Sequence, residues 1–355
     1  HRLPAEELLL PKKDSMQQKE ATIYDVAKEA GVSSATVSRV LNDPSKVNSE
    51  KRDSVMAAID ALHFVPKAAA VANARQSYRK IAIIAPFFTE PSFMQRLRGI
   101  SRIISGHHYE LVIYTIESQE ELEEYIDMIS SSRRVDALIV LCLTLRPAAL
   151  SRLRNCGIPV CFVESDVEGF DCVVIENELG GKLAAQNFYD MGCRKPGFIG
   201  EASNKSYAVP ATEDRLRGYT EFFRKKHIPI RPDHIWLGEF TEKKIDEGIS
   251  DFLNQEDLPD CIFTSSDLIA VRLIKIAAVH TIRIPEDIQV TGFDDLDITE
   301  HLNLSTVSQN LDDSGKTAAE LVLARLADPS RDPRKVHIEL KVINRSTTGS
   351  ITGSK

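Results

Sequence analysis

The sequence predicts a small all-α unit followed by a larger α/β core of two half-domains. Three observations carry this. The chain has 355 residues, room for two or three domains. Three short stretches between residues 22 and 66 have helical periodicity. From residue 81 onward, apolar runs with few polar interruptions alternate with amphipathic stretches, the pattern of parallel strands covered on both faces by helices.

In the first unit, Thr22 can cap a helix, with Asp25 as its capping-box partner. Ile23, Val26, Ala27 and Ala30 form one apolar face, and Gly31 supplies the left-handed residue that ends the helix. Ser33 can cap a second helix that buries Val37, Val40 and Leu41 and turns Ser34, Ala35, Ser38 and Arg39 outward. Ser49 can cap a third, with Val55, Ala58, Ile59 and Leu62 inward and Pro66 as its stop. Two short helices around a Gly-containing turn, closed by a third, make a helix-turn-helix. The spacing alone also suits a helical hairpin with no ligand. The outward face of the second helix weighs toward DNA, because it is short, polar and free of acids.

In the core, strands are expected at Ile81–Pro86, Leu111–Tyr114, Ala137–Leu143, Val160–Val163, Val173–Ile175, Gly197–Gly200, Cys261–Thr264 and Ile288–Phe293. Helices are expected at 92–106, 118–130, 147–155, 178–191, 212–226, 241–254, 267–279 and 312–326. One sheet of this length is unusual, so two half-domains are expected. Ligands of open parallel sheets bind beyond the carboxyl ends of the strands. That rule selects Phe87–Glu90, Thr144, Glu164–Asp166, Ser203, Ser265–Asp267 and Asp294–Asp295. Each has a plainer reading too: Asp267 as a helix cap, Asp294–Asp295 as a turn, Arg215 as a solvated helix residue.

Composition bounds the function. There are 44 Lys+Arg and 52 Asp+Glu, a formal charge of −8, which excludes a uniformly basic nucleic-acid coat. The charge is uneven: residues 16–80 net +3 and residues 81–355 net −11. This hints at an anionic partner for the first unit. No apolar stretch approaches the roughly 20 residues of a membrane span, and no signal-like start is present, so a cytoplasmic location is expected. The six cysteines form no CxxC pair and read as reduced and buried, with no metal site. No GxGxxG, Walker, HExxH or GxSxG motif occurs, so no cofactor and no catalytic residue is expected. Residues 1–15 are read as a leader or an appended remnant, expected to be disordered.

The run Thr22-Ile-Tyr-Asp-Val-Ala-Lys-Glu-Ala-Gly-Val-Ser33, followed by Thr36-Val-Ser-Arg-Val-Leu-Asn42, resembles the headpiece of the LacI/GalR family of bacterial repressors. Val47, Arg52, Val55, Ala58-Ile59, Leu62, Phe64 and Pro66 continue the match, and the resemblance extends to about Thr348. It implies a helix-turn-helix headpiece at 16–66 and a hinge helix and linker at 67–80. It also implies a periplasmic-binding-protein-like core of two Rossmann-like lobes, 81–175 with 310–327 and 176–309 with 335–348, and a tail at 349–355. Three crossings between lobes are then expected, near Glu176, near Ser308–Asn310 and near Ala327–Lys335, with the last strand, Val336–Ile343, closing the second lobe.

The resemblance also implies roles. Ser34, Ala35 and Arg39 take base-reading positions; Tyr24, Ser33, Thr36, Ser38 and Asn42 contact phosphates or pack at the DNA backbone. In the hinge, relatives wedge a leucine into the minor groove. That position is Asn73 here, with Val71 the nearest apolar residue, so weaker wedging is expected. Phe93, Arg215, Asp294 and Gln309 match cleft positions, and Asp267 stands in a Ser266-Asp267 pair where relatives have Asn-Asp. Two further departures, Pro86-Phe-Phe-Thr-Glu-Pro91 and Glu176-Asn177, leave the effector open among polyols, sugars and sugar acids. The expected function is a sequence-specific repressor that binds palindromic DNA as a dimer under control of a small polar effector. Control by a protein co-regulator, or a sugar-binding protein without DNA function, are the alternatives. Residues 346–355 hold no leucine heptad, so a dimer rather than a tetramer is expected.

Overall fold

The structure, a computed structural model, describes residues 21–42, 46–62, 64, 77–86, 89–132, 134–202, 205–239 and 241–349, with the backbone alone at Asn42, Ser132 and Glu242. The chain divides into two units, His1–Tyr78 and Arg79–Lys355. The hinge positions Val71 and Asn73, the leader, and the cleft candidates Phe87 and Ser203 lie outside the described residues.

In the first unit, α1 (Ile23–Glu29) begins with the expected capping box. Thr22 accepts from Asp25 N at 3.4 Å, and Asp25 Oδ2 accepts from Thr22 N at 2.8 Å. Gly31 (φ +66°) ends it, with Val32 N donating to Ala27 O at 3.0 Å and Gly31 N to Lys28 O at 3.4 Å, a Schellman closure. α2 (Ser34–Asn42) starts from Ser33, whose Oγ accepts from Thr36 N at 3.1 Å. α3 (Ser49–Ala61) departs from expectation at both ends. Asn48, in extended conformation, is the cap and accepts from Glu50 N at 2.9 Å, so Ser49 is already helical. The helix stops at Ala61, short of Pro66. Val26, Ala27, Val37, Val40, Val55 and Ala58 form the small core, and Ser54 Oγ ties α3 to Ala30 O at 3.1 Å.

The second unit holds two six-stranded sheets. The first comprises β1 (Lys80–Pro86), β2 (Glu110–Ile116), β3 (Ala137–Leu141), β4 (Val160–Val163), β5 (Asp171–Val174) and β11 (Lys335–His337), in the order β11-β5-β4-β3-β1-β2. The second comprises β6 (Pro196–Glu201), β7 (Ile235–Gly238), β8 (Cys261–Thr264), β9 (Gln289–Asp294), β10 (Ser305–Ser308) and β12 (Lys341–Ile343), in the order β12-β10-β9-β8-β6-β7. All pairings are parallel except β10 with β12.

Alternate strand residues serve opposite faces, as the pleat requires. In the first sheet Ile84, Leu138 and Phe162 face α5 (Gln119–Ser132) and α6 (Pro147–Cys156). Ile83, Ile139 and Cys161 face α4 (Pro91–Gly106) and α12 (Leu311–Ala327). In the second sheet Phe198, Phe263 and Phe293 pack with α7 (Asn177–Asp190) and α8 (Ala211–Lys225). Ile199, Ile262 and Val290 pack with α9 (Glu242–Leu253) and α10 (Asp267–Val279). A short α11 (Asp297–His301) follows β9. Among the described residues no helix is long and apolar enough to cross a membrane.

The last crossing differs from expectation. The stretch 335–343 is not one strand of the second lobe. β11 pairs with β5 in the first sheet, and the chain crosses at 338–340 before β12 pairs with β10. Asn310 Nδ2 donates to Glu339 O at 2.8 Å, and Leu340 is buried in the second-lobe core, which fixes the crossing there.

Candidate functional site

Two surfaces emerge, one in each unit. In the headpiece, α2 buries Val37 and Val40 and leaves Ala35 and Arg39 exposed. Ser34, Thr36 and Ser38 are half-buried, and Ser33 Oγ lies 2.9 Å from Thr36 Oγ1. The first turn of α2 has no acid. Its N-terminal amides and Arg39 therefore offer donors with no competing negative charge on the same helix. Tyr24 on α1 is 72 % exposed, an unusual position for a tyrosine without a partner surface.

In the core, a cavity of about 490 Å³ opens between the lobes at the carboxyl ends of the strands. Three strand ends converge on it with non-glycine residues at positive φ: Cys142 (54°) after β3, Glu164 (65°) after β4 and Asp294 (118°) closing β9. Such backbones cost about 1–3 kcal/mol each and recur where side chains must be aimed at a ligand.

Phe93, Arg215, Asp294 and Gln309 all line the cavity. Arg215, Asp294 and Gln309 belong to one polar network whose centre is Arg96 of α4, only 1 % exposed. Arg96 donates through Nε to Ser314 Oγ (2.9 Å), through Nη1 to Cys142 Sγ (3.0 Å) and through Nη2 to Gln309 Oε1 (3.1 Å), and lies 3.4 Å from Glu164 Oε2. Gln309 Nε2 passes the chain on to Asp294 Oδ1 at 2.5 Å. From the second lobe, Asn177 Nδ2 donates to Glu164 Oε1 at 3.0 Å and Asn177 Oδ1 accepts from Arg215 Nε at 2.8 Å. Arg215 also donates to Ser265 O, lies 3.6 Å from Glu164 Oε1, and stacks with its Cζ 3.6 Å from the Phe293 ring centre.

The electrostatics follow from this wiring. Burial pushes the Glu164 carboxyl up, but Arg96 and Arg215 pull harder and leave it below the usual range. Burial raises Asp294 to about 6 against the opposing pull of Arg215, and raises Glu201 to about 7. The Cys142 thiol is held well up by burial and by Glu164, so it stays protonated and donates to Glu164 Oε2 at 3.0 Å.

Asp267 corrects the expectation. It is fully buried behind the wall rather than facing the cavity. Its Oδ2 accepts from Leu296 N at 2.9 Å and its Oδ1 from Thr306 Oγ1 at 2.6 Å, so it holds the turn that presents Asp294. The cap of α10 is Ser266, which itself lines the cavity. Arg96 was missed from the sequence, although a signal existed. It lies three residues after Phe93 and four before Ile100, on the buried face of α4, where an unpaired arginine has no place.

The lobes are joined across the cavity. Ala208, after β6, bridges to Leu143 in antiparallel fashion, Thr144 N donates to Tyr207 O at 2.8 Å, and Tyr207 is buried in the first-lobe core with its hydroxyl on Glu117 O at 2.8 Å. On the other side Arg98 pairs with Asp297 at 2.7 Å.

Both units of the chain are similar to known proteins. Residues 22–67 match the model of bacterial regulatory proteins of the lacI family, and residues 185–348 match a periplasmic binding protein-like domain. An HTH-type transcriptional repressor PurR of Photobacterium profundum is 28% identical over 333 residues, 92% of this chain and 98% of its own. A ribose operon repressor of Haemophilus influenzae is 28% identical over 337 residues, 93% and 99% of the two chains. Among solved structures, a lacI-family transcriptional regulator from Silicibacter pomeroyi superposes with a TM-score of 0.78 at 27% identity, covering 92% of this chain and 98% of that one. The lac repressor dimer bound to operator and the anti-inducer ONPF has the same fold, with a TM-score of 0.77 at 21% identity over 93% of this chain and 100% of that one. These relatives are repressors and regulators rather than enzymes. The chain therefore carries a lacI-family helix-turn-helix region at residues 22–67, followed in sequence by a core with a periplasmic binding protein-like domain at 185–348.

Proposed function

We propose that the protein is a transcriptional repressor that binds a two-fold symmetric operator as a dimer and is switched by a small polar molecule in the interlobe cavity. The observation that supports the DNA-binding half is the outward face of α2, acid-free and carrying Arg39, set by a short turn on α1. α2 lies in the major groove, with Ser34, Ala35 and Arg39 toward base edges. Arg39 reads guanine O6 and N7, worth about 1–3 kcal/mol of discrimination. Ser33, Thr36, Ser38, Asn42 and Tyr24 meet the phosphate backbone, and the hinge around Val71 and Asn73 approaches the minor groove.

A single headpiece makes few phosphate contacts, so two act together on adjacent half-sites. The effector half is supported by the wiring of the cavity. Asn177 and Arg215 of the second lobe meet Glu164 of the first, and Asp294 is linked to Arg96 through Gln309, all through side chains a ligand can rearrange. A ligand with different affinity for two lobe arrangements shifts their balance, and with it the spacing of paired headpieces.

The test is selection of bound duplexes from a random pool by the full chain. Enrichment of a palindrome, lost or relaxed at one symmetric position in Arg39→Ala, is the expected result. Absence of any symmetric enrichment overturns the reading.

A further inference from the structure

If the cavity is the effector site, its wall also restricts the charge of what it takes. Both arginines that reach it are engaged by the protein. Arg96 is held by Ser314, Cys142 and Gln309, and Arg215 by Asn177 and the Ser265 carbonyl. An anion approaching either one also meets Glu164 or Asp294. The third cation of the lining, Lys205, lies 5.7 Å over the Tyr207 ring.

The carboxylates are not all so engaged. Glu239 pairs with Lys244, and Asp294 accepts from Gln309. Glu201, the last residue of β6, and Glu90, just before α4, face the cavity with no side-chain hydrogen bond or ion pair among the described residues. They come from opposite lobes. Apolar surface from Phe93, Val209, Leu268 and Leu296 makes up much of the remaining wall.

We propose that the effector is an amine-bearing polar molecule of amino-sugar size and chemistry, its ammonium group set between Glu201 and Glu90 and its apolar face against Phe93 and Leu296. Anionic sugars, whether acids or phosphates, are excluded by the same wall. The electrostatics of the wall agree. Burial, reinforced by Asp294, Glu90 and Glu213 and opposed by Arg215, raises Glu201 to about 7. An ammonium arriving there draws the proton off Glu201, so the preference for amines strengthens from pH 6 to pH 8.

The proposal is tested with trios matched at one carbon: glucose, 6-amino-6-deoxyglucose and glucuronate, and the galactose equivalents. Binding to the full chain is measured by thermal shift and calorimetry at pH 6 and pH 8. The amine of at least one trio should bind about tenfold or more tightly than its neutral parent at pH 8, as expected of a charge-assisted hydrogen bond in a partly desolvated site. The uronate should bind more weakly than the parent, and the amine's advantage should shrink at pH 6. Glu201→Gln should reduce that advantage to about twofold or less. A uronate that binds best, an amine preference that survives Glu201→Gln, or no binding by any member overturns the proposal. Operator binding by the same preparations reads the regulator assignment separately.

Discussion

Replacing Arg96 with methionine removes the hub of the cavity network while keeping most of its buried stem. The guanidinium reaches Ser314, Cys142, Glu164 and Gln309, and the residue is 1 % exposed. Removing one member of a buried ion pair costs about 3–5 kcal/mol, chiefly because the other charge is left without a partner. Glu164 keeps Arg215 at 3.6 Å and Asn177 at 3.0 Å, so the lower end applies. A loss of about 3 kcal/mol corresponds to a fall of about 6–10 °C in the melting of a unit this large. The pH dependence has a definite sign. In the native protein Glu164 sits below its ordinary range, so its contribution is present at neutral pH and is lost as the medium becomes acidic. In the variant burial prevails and the carboxyl moves up, so the penalty is largest at neutral pH and eases on acidification. The two stability curves therefore converge between pH 7 and pH 4.5. Adding Glu164→Gln should recover about half of the loss or more. Calorimetry on the full chain, following the core transition, measures all of this. A loss under about 1 kcal/mol, or a full loss that does not change with pH, refutes the reasoning.

Three further outcomes follow from particular contacts. At Gly218 an added Cβ would lie 1.9 Å from Glu178 O, where α7 and α8 touch backbone to backbone, so Gly218→Ala should cost about 3 kcal/mol or more and weaken ligand binding by displacing Arg215; an unchanged melting temperature contradicts it. Thr22→Ala removes the capping box of α1 and should cost the headpiece about 1 kcal/mol, read as faster amide exchange in α1 with the core unaffected. Asn73→Leu should increase operator affinity and DNA bending, measured by energy transfer across a labelled operator; loss of binding instead identifies Asn73 as a direct contact.

Much of the fold was legible because its signals are local. The Thr22 and Gly31 ends of α1, and runs such as Ala137–Leu141, announce themselves within a few residues. What was not legible depends on partners distant in sequence. β10 reads Ser-Thr-Val-Ser, a polar string, yet all four residues are buried because β9 and β12 flank it. β7 is a four-residue edge strand whose Trp236 and Leu237 stay partly exposed, too short for a periodic signal. β11 falls to the first sheet because β5 offers it a parallel edge, a fact absent from the stretch 335–343 itself. The same holds for the cavity. The strand-end rule found Glu164, just past β4, and Asp294, the last residue of β9, and Arg215 and Gln309 came from resemblance. It could not separate Asp294, which faces the cavity, from Asp267, which serves the backbone of Leu296 29 residues away. Nor could it find Arg96, whose partners Ser314 and Gln309 lie more than 200 residues further along.

The central claim is that occupancy of the interlobe cavity controls DNA binding. It is tested most directly by measuring the affinity of the full chain for its selected operator with the cavity empty and with it saturated by a ligand whose thermal shift is lost in Arg215→Ala. The account predicts a change of about fivefold or more in operator affinity, the size of an ordinary allosteric coupling, and no change in Arg215→Ala at the same ligand concentration. An operator affinity that stays the same when the cavity is demonstrably full would contradict it.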